Sequence, residues 1–219
     1  QSTSVTINKE LTIDLNGQTI TSGVSNETLI TVTNGGNLTI RDGTNTDGGF
    51  YTTNPKYIID TETGSDLTIE SGFFHMKDVF NCDIIGIKGN GTINGGTFIY
   101  EGDHEKNGCV LRVYNGGQVV INDIDIDSDK QAIVLRSDSS QSRSTTLTFN
   151  NGTIDSCYYA FSVFGHGFDS ADDNNNAILT VIDANVTVKD PDNPNHSESA
   201  VFGTNASNGT NAGHTINIE

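Results

Sequence analysis

Tryptophan is absent from this chain, and methionine, proline and cysteine are rare, with one, three and three copies. Lysine and arginine are scarce too: eleven against twenty-eight aspartates and glutamates, a net charge of −17. A surface this acidic excludes nucleic acid and anionic membrane as partners, because both repel it. No apolar run approaches the roughly 18 residues that span a bilayer, so membrane insertion is excluded, and no signal-peptide pattern opens the chain. Helix formers are sparse beside β-branched residues, which argues against a helical fold. The apolar fraction is only 33%, too little for the thick core of a conventional globule of 219 residues. A solenoid tolerates it, since each coil buries only a thin inner stripe.

The cysteines, Cys82, Cys109 and Cys157, show no CxxC or metal-type spacing. An odd number leaves at least one unpaired within the chain. Small buried residues are the first reading of all three, and a Cys82–Cys109 bridge between adjacent coils is the one pairing the spacing allows.

What is abundant is Asn, Asp, Thr and Gly, arranged in a repeat. An apolar-Thr-apolar triplet recurs as Leu11-Thr12-Ile13, Leu38-Thr39-Ile40, Leu67-Thr68-Ile69 and Gly91-Thr92-Ile93. It continues as Val119-Val120-Ile121, Leu147-Thr148-Phe149, Leu179-Thr180-Val181 and His214-Thr215-Ile216. Successive triplets lie 27, 29, 24, 28, 28, 32 and 35 residues apart. A strand precedes each triplet across a Gly/Asn turn, such as Asn34-Gly35-Gly36 or Asn115-Gly116-Gly117. A third short strand follows, as in Gly96-Thr97-Phe98 and Ile124-Asp125-Ile126. Three period-two strands per repeat predict a single all-β domain over 1–219: a right-handed parallel β-helix of about eight coils with one inward face per strand. The residues Ile13, Ile40, Ile69, Ile93, Ile121, Phe149, Val181 and Ile216 are expected to form one inward stack. Asn94, Asn122 and Asn150 follow their triplets at equal spacing, which predicts a ladder of side-chain amides. A β-sandwich, the rival all-β fold, does not require such a repeat. Both ends of the chain run in strand pattern without a capping segment, so the sequence reads as part of a longer protein.

The text Leu11-Thr-Ile-Asp-Leu-Asn-Gly-Gln-Thr-Ile20, with Asn34-Gly-Gly-Asn-Leu-Thr-Ile-Arg-Asp-Gly43, resembles the pectate-lyase-like β-helix segments of large surface proteins of gut Gram-positive bacteria. The architecture is also similar to the binding regions of some serine-rich-repeat adhesins. The resemblance implies an extracellular setting, wall-attached or secreted. It does not fix function, because the fold carries lyases, hydrolases, phage spikes and adhesins alike.

Lyase chemistry of this family implies Ca²⁺ held by carboxylates and an Arg or Lys that removes a proton beside a uronate carboxylate. Alternation turns Arg112 and Arg136 outward on successive first strands, and Asp125 and Asp127 outward around Ile126. Asp123 and Asp129 extend that carboxylate row, which reads first as a solvated strand face. The hydrolase motifs of the polygalacturonase family are not assembled. Asn45-Thr46-Asp47 and Gly165-His166-Gly167 lie coils apart, Asp172-Asp173 comes in the wrong order, and no Arg-x-Lys exists.

The reading that remains is a non-catalytic, adhesin-like module for a glycan or a cell-surface glycoprotein, expected as a monomer. A polysaccharide lyase or hydrolase and a rigid spacer are the alternatives. Loop length points to the place. The turn between first and second strands expands in the last three coils, to 137–145, 165–176 and 203–213. Insertions stacked on one edge of a solenoid are often its binding surface. Asp138, Arg143, Phe164, His166, Phe168 and Asp169 are the expected ligand-binding residues. Asp169, Asp172 and Asp173 are the expected carboxylates for Ca²⁺, the one candidate cofactor.

Overall fold

A computed structural model describes residues 4–23, 26–44, 47–53, 55–79, 82–102, 108–137, 143–166, 176–189, 200–207 and 215–219. Among them there is no helix. The chain winds through three parallel sheets in strict rotation, so each strand pairs with the strand three places on. Sheet A contains Val5–Ile7, Thr28–Val32, Tyr57–Thr61, Asp83–Ile87, Cys109–Tyr114, Gln131–Ser137, Tyr159–His166 and Ala200–Ser207. Sheet B contains Glu10–Asp14, Asn37–Arg41, Asp66–Ile69, Asn90–Ile93, Gln118–Ile121, Thr145–Phe149, Ala177–Val181 and Thr215–Ile218. Sheet C contains Thr19–Ser22, Gly49–Thr53, Phe73–Val79, Thr97–Gly102, Asp125–Ser128, Thr153–Ser156 and Asn185–Val188. This is an all-β parallel solenoid.

The recurrent triplets build sheet B. Ile13, Ile40, Ile69, Ile93, Ile121, Phe149 and Val181 pair in that order on neighbouring strands and face inward. The expected last member is corrected: Val181 pairs with Ile218, and Ile216 pairs with Leu179. The final triplet is Ile216-Asn217-Ile218. Both choices keep isoleucine on the inner face because a shift of two residues preserves the side of a strand.

A second inward row runs Leu38, Leu67, Gly91, Val119 and Leu147. Glycine interrupts it because Ile87 reaches into that space: a Cβ on Gly91 would lie 2.7 Å from Ile87 Cδ1. Outward from sheet B stand Thr12, Thr39, Thr68, Thr92, Val120, Thr148 and Thr180, one above another.

The inner face of sheet C is aromatic in its lower half. Phe50, Phe74 and Phe98 stack with centroids 5.4 and 4.7 Å apart, the upper pair 3° from parallel. Sheet A departs from simple alternation. Ile58-Ile59, Ile84-Ile85, Val110-Leu111, Ala132-Ile133 and Ala160-Phe161 are consecutive pairs that both join the core. The first of each pair is skipped in the strand pairing. Outward residues therefore flank two inward ones, which places Tyr57 with Asp60, and Cys109 with Arg112, on the outer face.

The amide row forms as expected. Asn150 donates to Asn122 at 2.8 Å and Asn122 to Asn94 at 2.7 Å. It reaches one level further than expected, because Asn94 donates to the Glu70 carboxylate at 3.0 Å. Arg41, in the same place one level below, instead pairs with Asp14 at 2.9 Å. The three cysteines are buried thiols, and the Cys82–Cys109 bridge is not formed.

Candidate functional site

The long connections lie between sheet A and sheet B at three successive levels and span 138–144, 167–176 and 208–214; the expected starts at 165 and 203 are corrected, because the sheet A strands run on to His166 and Ser207. Asp138, Phe168, Asp169, Asp172 and Asp173 lie outside the described residues. Phe164 and His166 end a sheet A strand, with their backbones paired to Arg136 and Asn205 and to Ser207. Arg143 lies across the Asn115-Gly116 turn: a Cβ on Gly116 would stand 2.8 Å from its Cγ, and its Nη2 lies 3.5 Å from the Lys88 carbonyl oxygen. Part of the expected ridge thus packs on the solenoid wall.

The arginines and aspartates that a lyase reading needed do not share a face. Arg112 belongs to sheet A, while Asp125 and Asp127 belong to sheet C. Arg112 is instead bound by Asp83, through Nε at 2.6 Å and Nη2 at 2.9 Å. Asp83 is 4% exposed and also accepts from the Cys109 backbone at 3.0 Å and its thiol at 3.1 Å. Burial opposes the charge on Arg112, but Cys109 and Asp83 outweigh it and push its pKa further up. An arginine so held does not serve as a base. One level below, Asp60 takes the Lys88 ammonium at 3.2 Å and the Tyr114 hydroxyl at 2.8 Å. Burial and Asp60 push the Tyr114 phenol upward, so it stays a donor. Two acids and two cations balance; the ion pairs tie neighbouring levels together, and the Tyr114–Asp60 bond spans two levels.

On the outer face of sheet C, Asp127 and Asp155 are neighbours, and Lys189 reaches back to bind Asp127 and approach Asp129 at 3.9 Å. The lysine acts as the internal counter-charge of this acidic row. Among the described residues no group of three His, Cys, Asp or Glu side chains is placed to hold a metal ion, and no helix is long and apolar enough to cross a membrane.

Sequence reasoning missed a pocket at the corner from sheet B to sheet C. It encloses about 220 Å³ between Asp42, Asp47, Ser71, Phe73, Thr97 and Asp125. Gly72 and Gly96 form its back, both with φ in the left-handed half of the map, at +130° and +123°. Glycine suits those corners because it adopts positive φ without steric penalty. Phe73 is half-buried and stacked on Tyr51 at 5.1 Å, with His75 edge-on to both at 5.7 and 6.1 Å. Desolvation raises the Asp42 carboxyl, but hydrogen bonds from Gly17, the Thr44 hydroxyl and Gly48 outweigh it and hold the pKa at about 2. These contacts fix the corner loop. Asp125 accepts from the Thr153 hydroxyl. The site thus combines one aromatic wall with hydroxyls and carboxylates on rigid corners.

The fold and this corner define a β-solenoid with a small acidic, aromatic-walled pocket. No family model, curated protein or solved structure matches the chain.

Proposed function

We propose that the chain is a non-catalytic glycan-binding module of an extracellular, wall-attached or secreted bacterial protein, in the manner of an adhesin. The observation that carries the reading is the sheet B to sheet C pocket. The Phe73 ring offers a stacking surface for the apolar face of a sugar. Ser71, Thr97, Asp47 and Asp125 offer hydroxyl and carboxylate groups that pair with sugar hydroxyls. Rigid corners reduce the ordering cost of binding. The net charge of −17 suits a neutral ligand. The ridge at 138–144, 167–176 and 208–214, with Asp169, Asp172 and Asp173 as Ca²⁺ ligands, is a second contact for the same partner.

The test is a glycan array probed with the protein, with Phe73→Ala, and with a variant whose 165–176 segment is replaced by Asn-Gly-Gly, each with and without Ca²⁺. The expected result is a set of bound glycans, weakened at least roughly tenfold by Phe73→Ala, the loss of one stacked ring. Loss on removing Ca²⁺ or the loop, with Phe73→Ala unchanged, moves the site to the ridge. An empty array overturns the reading.

A further inference from the structure

The outward positions of sheet B change character along the solenoid. Glu10, Asp14, Arg41, Asp66 and Glu70 charge the first three levels. From Asn90–Ile93 to Ala177–Val181 the outward residues, with those just past the strand ends, are Asn, Thr, Gln, Val and Ile alone. The strands of four consecutive levels carry no charge in a chain with twenty-eight acids, and the nearest carboxylates, Asp123 and Asp183, stand at the turn toward sheet C. The exposed apolar side chains Val120, at 40%, and Ile182, at 44%, belong to this stretch. Its middle column is Thr92, Val120, Thr148 and Thr180, and one side is the hydrogen-bonded row Asn94, Asn122 and Asn150.

We infer that this face is a docking platform for an insoluble, uncharged polysaccharide. The inference shares with the proposed function the class of ligand but rests on a different surface. Parallel strands repeat hydroxyl and amide groups every ~4.8 Å along the axis. That step is comparable with the advance of an extended polysaccharide by one sugar ring. The amide row fixes its side chains before contact, so docking orders little. Val120 and Ile182 supply apolar contact between the polar groups. The absence of charge selects the partner: a uronate or phosphate polymer meets no cation here, whereas a neutral polymer meets no desolvated charge. A sheet face touches its ligand from one side only, which fits the surface of a packed polymer rather than a single dissolved chain.

The experiment is co-sedimentation of the protein with microcrystalline cellulose and with chitin, at low and high salt. The wild type is expected to pellet with at least one solid at both salt concentrations. Val120→Lys/Thr148→Lys is expected to stay in the supernatant while binding the same set of dissolved glycans as wild type. If the double variant loses its cooperative melt, Asn90→Lys/Gln118→Lys decides instead, since both side chains are exposed and outside the amide row. Wild type remaining in solution with both solids, or pelleting undisturbed by the face variants, overturns the platform. Pelleting lost in Phe73→Ala assigns the solid to the pocket, which overturns the platform and leaves the glycan reading standing. An empty glycan array alongside pelleting removes the pocket reading and leaves the platform.

Discussion

At the scale of single residues, the Asp83–Arg112 pair shows what an outward polar face of a solenoid can do without a ligand. Both carboxylate oxygens are taken by the guanidinium, and the Cys109 backbone and thiol complete the acid's contacts. Arg112→Ala leaves an almost fully buried carboxylate with only the Cys109 donors. We expect that to cost about 3 kcal/mol, read from the urea midpoint, because removing one partner of a buried pair strands the other's charge. Replacing both, as Asp83→Leu/Arg112→Met, is expected to return the midpoint close to wild type. A single variant no less stable than the double one would show that the pair is only a surface contact.

Among elements, the amide row is a series of separable bonds. Asn150 takes part in one of them and Asn122 in two. Asn122→Ala is therefore expected to destabilise by about 1 kcal/mol more than Asn150→Ala, the net worth of one hydrogen bond. Equal denaturant midpoints would show that the row follows the fold without supporting it. This row was legible in the sequence because three asparagines recur at one spacing after the same triplet. Its base was not, since nothing in the sequence says that the carboxylate of Glu70 stands in for an amide. The last triplet was misplaced for the opposite reason: Thr215-Ile216-Asn217-Ile218 fits the period equally well in two positions, and only pairing with Val181 distinguishes them. The doubled inward residues of sheet A follow from a repeated irregularity that a simple alternation cannot express. The pocket was hidden because its lining comes from four levels of one corner, and Asp42, Phe73 and Asp125 have no shared motif.

On the scale of the whole molecule, the repeat makes the solenoid modular. Asn122 and Asn150 stand 28 residues apart, and every strand between them has its counterpart one level on. Excising residues 122–149 joins Ile121 to Asn150 and brings Asn150 onto Asn94. We expect that protein to keep a β-type circular dichroism spectrum and a single cooperative melt, because the strands of each coil pair only with those of its neighbours. Excising only residues 122–135 removes the sheet C strand and most of the sheet A strand of one coil, and is expected to lose the cooperative melt. Survival of both deletions, or of neither, would count against a repeat built of interchangeable coils.

The uncharged stretch of sheet B also sets how the molecule comes to rest. Acids on the remaining surface, such as Asp125 and Asp127 on sheet C, repel any anionic surface whichever of them leads. Among the described residues, the sheet B strands from Asn90–Ile93 to Ala177–Val181 lack that push. Near such a surface the repulsion becomes a torque that rolls the rod until the uncharged stretch of sheet B faces it. The torque fades beyond about 8 Å at physiological ionic strength, so the turn occurs in the final approach. Acids far from any ligand would in this way aim the uncharged stretch.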